Sequence, residues 1–292
     1  MGVLHLPYDP FSGKPAPDNS IILHPFTATR NTLKAKAILD RNAISLVLTG
    51  EKTMRFTEKT VYVNDKEIHF LSAGHCIASM DISKKKPFKS ILIFFDNKEL
   101  TDFFHIHAAF IKKAMVQAPV KPDAYIAFKK DAFITHYIES IQLMLNSGGS
   151  LSLSMKRLKL HELLLYLLEH HTQLFLSFKY KGNVPPAELT IRNVVESNLL
   201  SNLTIEEMAF LCNLSTSTFK RHFRNIYGES PNTWILTQKM QLAAHLLIEK
   251  KERPAEIWFK LGFETHSGFT KSFKKHFGVT PKGYIAGLTF QD

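Results

Sequence analysis

Two short runs of cationic side chains recur at helical spacing towards the C-terminal end of this 292-residue chain. The runs are Lys220, Arg221 and Arg224, and then Lys271, Lys274 and Lys275. Residues three and four apart lie on one side of a helix, so each run predicts a cationic helix face. Guanidinium and ammonium groups bind phosphate, and an arginine can also donate two hydrogen bonds to a guanine edge. The chemistry that these runs indicate is therefore nucleic-acid binding.

An apolar stripe accompanies each cationic run. The stripes consist of Phe219, Phe223 and Ile226 in "STSTFKRHFRNIYG", and of Phe269, Phe273 and Phe277 in "THSGFTKSFKKHFG". This spacing predicts two amphipathic helices that each bury one side against a core. A single basic amphipathic helix is common on any protein surface. Here the pattern occurs twice, and neither segment contains an acidic residue.

Turn and capping residues predict where these helices begin and end. Ser215 and Thr265 are suitable N-caps, and glycines 50 residues apart, Gly228 and Gly278, suit left-handed helix ends. Ahead of each such helix the sequence predicts a shorter one, beginning after a Thr204 capping box in the first copy and at Pro254 in "PAEIWFKLGF" in the second. A short helix, a turn and a second helix with a cationic face form a helix-turn-helix unit.

The two predicted helix-turn-helix units, about 204–228 and about 254–278, are joined by a helix predicted over 231–250 that contains no internal glycine or proline. Twenty helical residues span roughly 30 Å. Because successive turns of B-DNA repeat at about 34 Å, such a helix could place two recognition helices in adjacent major grooves.

The N-terminal half has a different pattern. Short apolar stretches alternate with turns such as "LTGE" and "VNDKE", which predicts an antiparallel β-sandwich or barrel over about 1–122. From Asp123 the apolar residues take helical spacing, with Ala124 and Phe128 as the first members, so helices are predicted over about 123–180. "KGNVPP" breaks any helix and makes 181–187 a linker to a C-terminal all-α domain over 188–292. The predicted fold class is α+β.

Composition limits the protein class. With 45% hydrophobic and 22% charged residues, packed cores are expected, and no apolar run approaches the roughly 20 residues that span a bilayer. Cys76 and Cys212 form neither a disulfide framework nor a zinc spacing, and "MGVLHLPYDPF" lacks a secretion-signal pattern, so a cytoplasmic protein is expected. The net charge is +11, yet residues 188–292 hold only 13 of the 37 basic and 10 of the 26 acidic residues. The local arrangement, more than total charge, indicates DNA.

Two features of the N-terminal half leave alternatives open. "HIH" at 105–107, with His69 and His75, could supply imidazole ligands, but core or surface histidines are the ordinary interpretation, so we predict no metal and no cofactor. The apolar helix "LKLHELLLYLLEHH" at 158–171 could form a dimer seam or pack against the β-domain.

Residues 188–288 resemble the DNA-binding domain of the AraC/XylS family of bacterial transcription regulators. The most specific stretch is "KMQLAAHLLIEKKERPAEIWFKLGFETHSGFTKSFKKHFGVTPKGY", which is similar to the family's signature from the linker helix to the final Gly-x-x-Pro. The family often joins this domain to a cupin-like β-barrel that senses a small molecule or a protein, followed by helices that dimerise. The β-then-helix pattern of 1–180 is similar to that arrangement.

In this family the first residues of each recognition helix face bases, and later cations more often face phosphates. The base-contact candidates are Ser217, Lys220, Arg221, His266, Ser267, Thr270 and Lys271. The phosphate-contact candidates are Thr216, Arg224, Lys274 and Lys275. For Lys274 and Lys275, simple solvated lysines are the alternative.

Three residues depart from the family pattern. Trp258 stands where a small residue is usual, so it must lean outward or its helix must sit differently. Gly268 lies inside the second recognition helix and costs roughly 1 kcal/mol of helix propensity relative to alanine. Lys239 stands on the linker helix where arginine is usual.

Together these features predict a sequence-specific transcription regulator, an activator rather than an enzyme. Its expected partners are double-stranded promoter DNA, RNA polymerase, a small-molecule effector or regulatory protein at the N-terminal domain, and a second copy of the chain, with no membrane. Two alternatives are a cupin-type metal enzyme with a DNA-binding appendage and a non-specific architectural DNA binder.

Overall fold

The computed structural model describes residues 2–8, 20–28, 30–80, 87–115, 122–148, 151–178, 187–250 and 252–288. The chain divides into two compact units: Met1–Phe56 with Thr60–Asn183, and Thr57–Lys59 with Val184–Asp292. The first unit contains β-sheets and helices and the second contains helices, so the predicted α+β fold class is confirmed. The predicted linker 181–187 lies outside the described residues, apart from Ala187.

The first unit contains two five-stranded sheets. The described strands are β1 (Leu4–Leu6), β2 (Ile21–Thr27), β3 (Thr32–Leu39), β4 (Asn42–Thr49), β5 (Lys52–Arg55), β6 (Thr60–Val63), β7 (Glu67–Leu71), β8 (Gly74–Met80), β9 (Lys89–Phe95) and β10 (Tyr125–Lys129). Strand order is β1-β3-β8-β5-β6 in one sheet and β10-β7-β4-β9-β2 in the other. The predicted antiparallel arrangement is wrong at one edge, where β1 pairs with β3 in parallel. A parallel pair needs a crossover connection, and β2, in the other sheet, lies on that connection.

Strand β9 shows how the core is divided. Successive side chains of a strand point to opposite faces of its sheet. Ile91, Ile93 and Phe95 accordingly pack with the helices of this unit. Leu92 and Phe94 pack on the other side with residues from both sheets. Every apolar residue of "ILIFF" is buried, which explains why this strand lacks a polar alternation in the sequence.

The helices of the first unit are α1 (Asn97–Ile106), α2 (Ala108–Met115), α3 (Ala132–Asn146), α4 (Leu153–His170) and α5 (Thr172–Leu176). The predicted change from strands to helices near Asp123 is therefore wrong in both directions. Helices α1 and α2 precede it, and β10 follows it, with Phe128 opposite Ile68 of β7. A spacing of four residues between Ala124 and Phe128 is compatible with one face of a strand as well as with a helix, and pairing with β7 decides the outcome.

The leucines of α4 belong to the core of their own unit. Leu163, Leu164, Leu167 and Leu168 are buried among residues of the sheet and of α3. Of the two alternatives for this apolar helix, packing against the β-domain is therefore the correct one. These four side chains are not available as a dimer seam in this fold.

The histidines considered as metal ligands take other places. The ring nitrogens of His69 already have partners, with Nδ1 2.8 Å from the Tyr125 hydroxyl and Nε2 3.0 Å from the Asn64 carbonyl oxygen. His105 lies in α1 and His107 is its C-cap. Within the part of the chain that the structure describes, no three His, Cys, Asp or Glu side chains are grouped so that they could hold a metal ion. No described helix is long and apolar enough to cross a membrane.

An ion pair between a half-exposed arginine and a buried glutamate joins α1 to α4. Arg157 donates to both carboxylate oxygens of Glu99, at 2.8 Å from Nε to Oε2 and 2.6 Å from Nη2 to Oε1. The Glu99 side chain is 5% exposed, and the Ser20 hydroxyl also donates to it. The hydrogen bonds from Arg157 lower the pKa of Glu99, although burial acts in the opposite direction.

Arg157→Met is expected to lower the free energy of unfolding at pH 7 by about 1–3 kcal/mol, because it leaves a buried carboxylate without its charged partner. A lowered folded-state pKa stabilises above the unfolded pKa, about 4.3 for Glu, and this stabilisation is lost as pH falls through the folded value. The difference in unfolding free energy between the wild type and Arg157→Met should therefore shrink between pH 5 and pH 3. Urea unfolding curves followed by circular dichroism measure it. Lys98→Met, which removes an exposed pair with Asp102, is the matched control and should change stability by less than about 1 kcal/mol. Equal losses of stability in the two variants would contradict the stabilising role of the pair between Glu99 and Arg157.

The second unit consists of helices. They are α6 (Ala187–Ser197), α7 (Ile205–Leu211), α8 (Thr216–Tyr227), α9 (Pro231–Ile248), α10 (Pro254–Ile257), α11 (His266–Phe277) and α12 (Pro281–Leu288). The helix predicted over "PAEIWFKLGF" is shorter than expected and ends at Ile257. After it the chain turns, with the Gly262 N–H donating to the Phe259 carbonyl oxygen at 3.0 Å and the Phe263 N–H to that of Trp258 at 3.0 Å.

Candidate nucleic-acid interface

The two recognition helices, α8 and α11, begin with the predicted caps. Ser215 Oγ accepts from the Thr218 N–H at 3.2 Å, and Thr265 Oγ1 accepts from the Gly268 N–H at 3.1 Å. Both cap residues have extended backbone angles, as N-caps require. The preceding capping box is also present, because Thr204 and Glu207 exchange hydrogen bonds of 3.1 and 2.8 Å.

The helix ends match as well. Gly228 and Gly278 have φ values of 79° and 80°, and each donates its N–H to the carbonyl oxygen four residues earlier. Both helices contain 12 residues. The predicted left-handed glycine caps are confirmed, and with the N-caps Ser215 and Thr265 they give the two helices the same length.

An aromatic ladder supports each recognition helix. Behind α8, Phe223 lies 5.9 Å from Phe219, 4.4 Å from Tyr227 and 5.9 Å from Trp234 of α9, measured between ring centroids. Behind α11 the corresponding ladder comprises Phe269, Phe273, Phe277 and Tyr284 of α12, with centroid distances of 4.6 to 5.7 Å along it. The phenylalanines at the centre of each ladder are fully buried. Each helix is thus held by its apolar stripe, and its opposite side faces solvent.

The solvent-facing side carries most of the candidate contacts. Exposed base-contact candidates are Ser217, Lys220, Arg221, His266, Ser267 and Lys271. Exposed phosphate-contact candidates are Arg224, Lys274 and Lys275, whereas Thr216 is half-buried. Among the described residues, none forms a salt bridge with the six cations of these helices. Two faces of unneutralised positive charge are therefore presented to solvent.

Thr270 differs from the other base-contact candidates in its burial. The residue is half-buried, and its Oγ1 is inaccessible and without a hydrogen-bond partner in the described structure. Thr270 follows the fully buried Phe269 and lies beside the apolar stripe, so the hydroxyl turns towards the interior. In this structure the Thr270 hydroxyl is therefore turned away from solvent, and its contact with a base stays a prediction.

A groove beside α8 adds two residues that the sequence did not reveal. It has a volume of about 430 Å³ and is lined by Lys220, Arg221 and Arg224 together with Asn225 and Asn232. Asn225 follows Arg221 by four residues, so the helical spacing could have indicated it. Asn232 lies at the beginning of α9, and only the packing of α9 against α8 brings it to this groove.

The structure shows the surroundings of the three residues that depart from the family pattern. Trp258 is half-buried against the core of the second helix-turn-helix unit, and α10 ends one residue before it, so Trp258 follows the helix as its C-cap. Gly268 lies in the first turn of α11, where its N–H makes the cap hydrogen bond. Lys239 holds its ammonium group 5.7 Å from the centroid of the Phe263 ring, and burial lowers its pKa.

Comparison with known proteins agrees with this geometry. Residues 208–287 match a family model described as a helix-turn-helix domain. Residues 42–178 match one described as the ExsA N-terminal regulatory domain. The virulence regulon transcriptional activator VirF of Yersinia enterocolitica is 25% identical over 243 residues, covering 82% of this chain and 88% of VirF. The regulator ExsA of Pseudomonas aeruginosa is 24% identical over 240 residues, covering 82% and 84%.

The chain carries an AraC-type helix-turn-helix domain and an ExsA-type N-terminal regulatory domain. It is a DNA-binding transcription regulator. In this regulator the first matched segment lies in the β-sheet unit apart from 57–59, and the second begins within α7 and ends within α12. The matched region therefore covers the whole second helix-turn-helix unit and the first from Met208 onwards.

Among solved structures, the match to ToxT from Vibrio cholerae covers 91% of this chain and 98% of the ToxT chain, with 12% identity and a TM-score of 0.38. That score is too low to support an argument about fold or function. The assignment rests instead on the two family models and on the sequence relatives.

Proposed function

We propose that this regulator binds promoter DNA with both recognition helices, α8 and α11, in adjacent major grooves. The observation that carries the proposal is the duplication: two 12-residue helices with the same caps, the same aromatic support and an acid-free cationic face. Helix α9, which joins the two units, has 18 residues and so spans about 27 Å. That length is of the order of the roughly 34 Å between successive turns of B-DNA.

Within this proposal the exposed candidates have different roles. Arg221 and Lys220 in α8, and Lys271 with the first turn in α11, contact base edges and give sequence preference. Arg224, Lys274 and Lys275 bind phosphates, which sets the register without carrying sequence information. Thr216 supports the phosphate contacts of the first helix-turn-helix unit. The groove residues Asn225 and Asn232 extend the contact surface of α8 beside Arg224.

We further propose that the protein activates transcription through RNA polymerase, and that its mechanism is recruitment without catalysis. The support is that VirF, similar over most of its length, is named a transcriptional activator. The first unit would receive the signal, from a small molecule or a regulatory protein, and would contribute to a homodimer. Its match to a model described as a regulatory domain supports the assignment of a regulatory role to this unit.

Selection of binding sites tests the DNA-binding proposal. The full chain is incubated with a pool of random duplexes, and bound sequences are enriched, sequenced and footprinted. The expected result is two conserved elements separated by about one helical turn of 10–10.5 base pairs, both protected on one face of the duplex. A single conserved element would contradict binding by both helices. Absence of any enriched sequence would favour the non-specific architectural alternative.

Transcription in vitro tests the proposal that the protein activates RNA polymerase. A promoter carrying the selected site is transcribed by purified bacterial RNA polymerase with and without the regulator, and more transcript is expected in its presence. Repression would overturn the activator proposal while leaving DNA binding intact. Native mass spectrometry of the purified protein distinguishes a retained small molecule from a co-purifying regulatory protein.

A further inference from the structure

The turn of the second helix-turn-helix unit contains a glycine in the left-handed backbone region. Gly262 has φ +71°. In the first helix-turn-helix unit the turn contains Asn213, which has φ +56°. Asparagine tolerates this conformation better than most residues with a side chain. The backbone angle alone therefore does not explain why the second turn has a glycine.

A close approach of two backbone segments does explain it. A Cβ atom added to Gly262 would lie 2.5 Å from the carbonyl oxygen of Leu200 and 3.0 Å from Oδ1 of Asn202. Leu200 lies on the connection between α6 and α7, so the contact joins the turn of the second helix-turn-helix unit to the segment that leads directly into the first. A backbone oxygen cannot rotate away as the end of a flexible side chain can. Any side chain at position 262 would therefore push the two units apart.

The glycine caps of the recognition helices differ from Gly262 in this respect. Gly278 has a similar φ, +80°, yet no atom lies within 4 Å of the position that its Cβ would take. The same substitution at positions 262 and 278 thus imposes a comparable backbone cost, and only the first creates a clash. This pair separates the effect of the contact from the effect of the conformation.

Helix α9 provides the other connection between the two helix-turn-helix units. Near its beginning Trp234 packs on Phe223 and Tyr227 of the first helix-turn-helix unit. Further along, Met240 and Ala243 are buried in the core of the second helix-turn-helix unit. A single helix leaves its two ends free to bend and twist relative to each other. A second contact away from the helix axis removes much of that freedom.

The residue next to Gly262 is held on α9 itself. Phe263 lies under the ammonium group of Lys239, and its ring packs 5.6 Å from that of Phe269 in α11. The turn thus contacts α9, the recognition helix α11 and the α6–α7 connection. A displacement at Leu200 would pass through this turn to the start of α11.

We infer that the contact between Gly262 and Leu200 fixes the distance between the two recognition helices, so that the regulator accepts one spacing between the two halves of its DNA site. Adding one base pair to the site moves the second half by about 3.4 Å and turns it by about 35°. A pair of units connected at two points cannot follow that movement without losing the contact. Gly262 is then a positioning residue that determines spacing specificity. This inference rests on the proposed use of both recognition helices.

The wild-type full chain provides the first test, which does not depend on any variant folding. Duplexes from the binding-site selection are remade with one base pair inserted or deleted between the two elements, and with the second element scrambled. We expect each change of spacing to weaken binding about tenfold or more, close to the loss that scrambling causes. Binding within twofold at all three spacings would overturn the inference. A selection that yields only one element would instead contradict the proposed function.

Gly262→Asn is the second test and Gly278→Asn its matched control. Asparagine at position 262 keeps a permitted left-handed conformation but brings its Cβ against Leu200. We expect Gly262→Asn to bind the original spacing more weakly and to lose most of its preference over the inserted site, with the second element still protected in footprints. Gly278→Asn should keep the wild-type ratio between the two spacings. Wild-type affinity with an unchanged ratio in Gly262→Asn would overturn the inference. If Gly262→Asn lost protection of the second element by unfolding, the wild-type spacing series would decide the question.

Discussion

Replacing Phe223 with alanine is expected to lower the free energy of unfolding of the DNA-binding unit by about 3–5 kcal/mol. The side chain is fully buried and contacts the rings of Phe219, Tyr227 and Trp234. Removing it loses transfer free energy and leaves a cavity between α8 and α9. It also removes three ring contacts, each of which contributes about 0.5–1.5 kcal/mol beyond area burial.

Tryptophan fluorescence can follow this unfolding selectively, because both tryptophans of the chain, Trp234 and Trp258, lie in the second unit. The urea midpoint should fall, and binding to the selected DNA site should weaken in parallel. Phe259→Ala is the matched control, since Phe259 is 59% exposed and its loss should cost no more than about 0.5 kcal/mol. A loss below about 1 kcal/mol for Phe223→Ala would show that the aromatic ladder does not hold α8.

Arg221→Ala is expected to reduce discrimination between base pairs in one half of the footprint by about 1–3 kcal/mol. Arg221 is exposed on α8 and lines the groove with Lys220 and Arg224. Among the described residues no acidic partner neutralises it, so its guanidinium group is available for a guanine edge. Loss of a base contact changes which sequence is preferred, whereas loss of a phosphate contact weakens all sequences alike.

Arg224→Ala provides the contrast on the same helix. It should weaken binding to all duplexes about equally and make the slope of log K against log salt shallower by about 0.9. Both variants are measured on the selected site, on single-base variants of it and at several salt concentrations. Arg30→Ala, which removes an exposed arginine of the first unit, controls for the change in net charge. A uniform loss for Arg221→Ala would make Arg221 a phosphate contact.

The DNA-binding unit was the more predictable half of the chain because its signals are local. The Thr204 capping box, the Ser215 cap and the left-handed Gly228 involve residues within a few positions of one another, and all are present in the structure. The same holds for the buried phenylalanine stripes. The length of α10 was not predictable in this way, because the turn after Ile257 depends on how Trp258 and Phe263 pack against distant residues.

The β-sheet unit was less predictable for the converse reason. Strand β10 forms because Phe128 pairs opposite Ile68, 60 positions earlier, and the local spacing around Phe128 suited a helix equally well. Likewise, only the structure reveals that the buried leucines of α4 cover a sheet. Pairing between distant segments leaves little trace in a single sequence.

For this protein, sequence alone determined the α+β class, the duplicated helix-turn-helix and the cationic faces that assign it to DNA binding. Helix periodicity and capping depend on neighbours three or four residues apart, so a single sequence contains them. Tertiary structure decided which side chains reach the surface beside α8 and α11: it buries the Thr270 hydroxyl and brings Asn232 to the groove beside Arg224. It also places Leu200 against Gly262, 62 positions away, and so connects the two recognition units off the axis of α9. Such contacts depend on how whole helices pack, which no local pattern specifies.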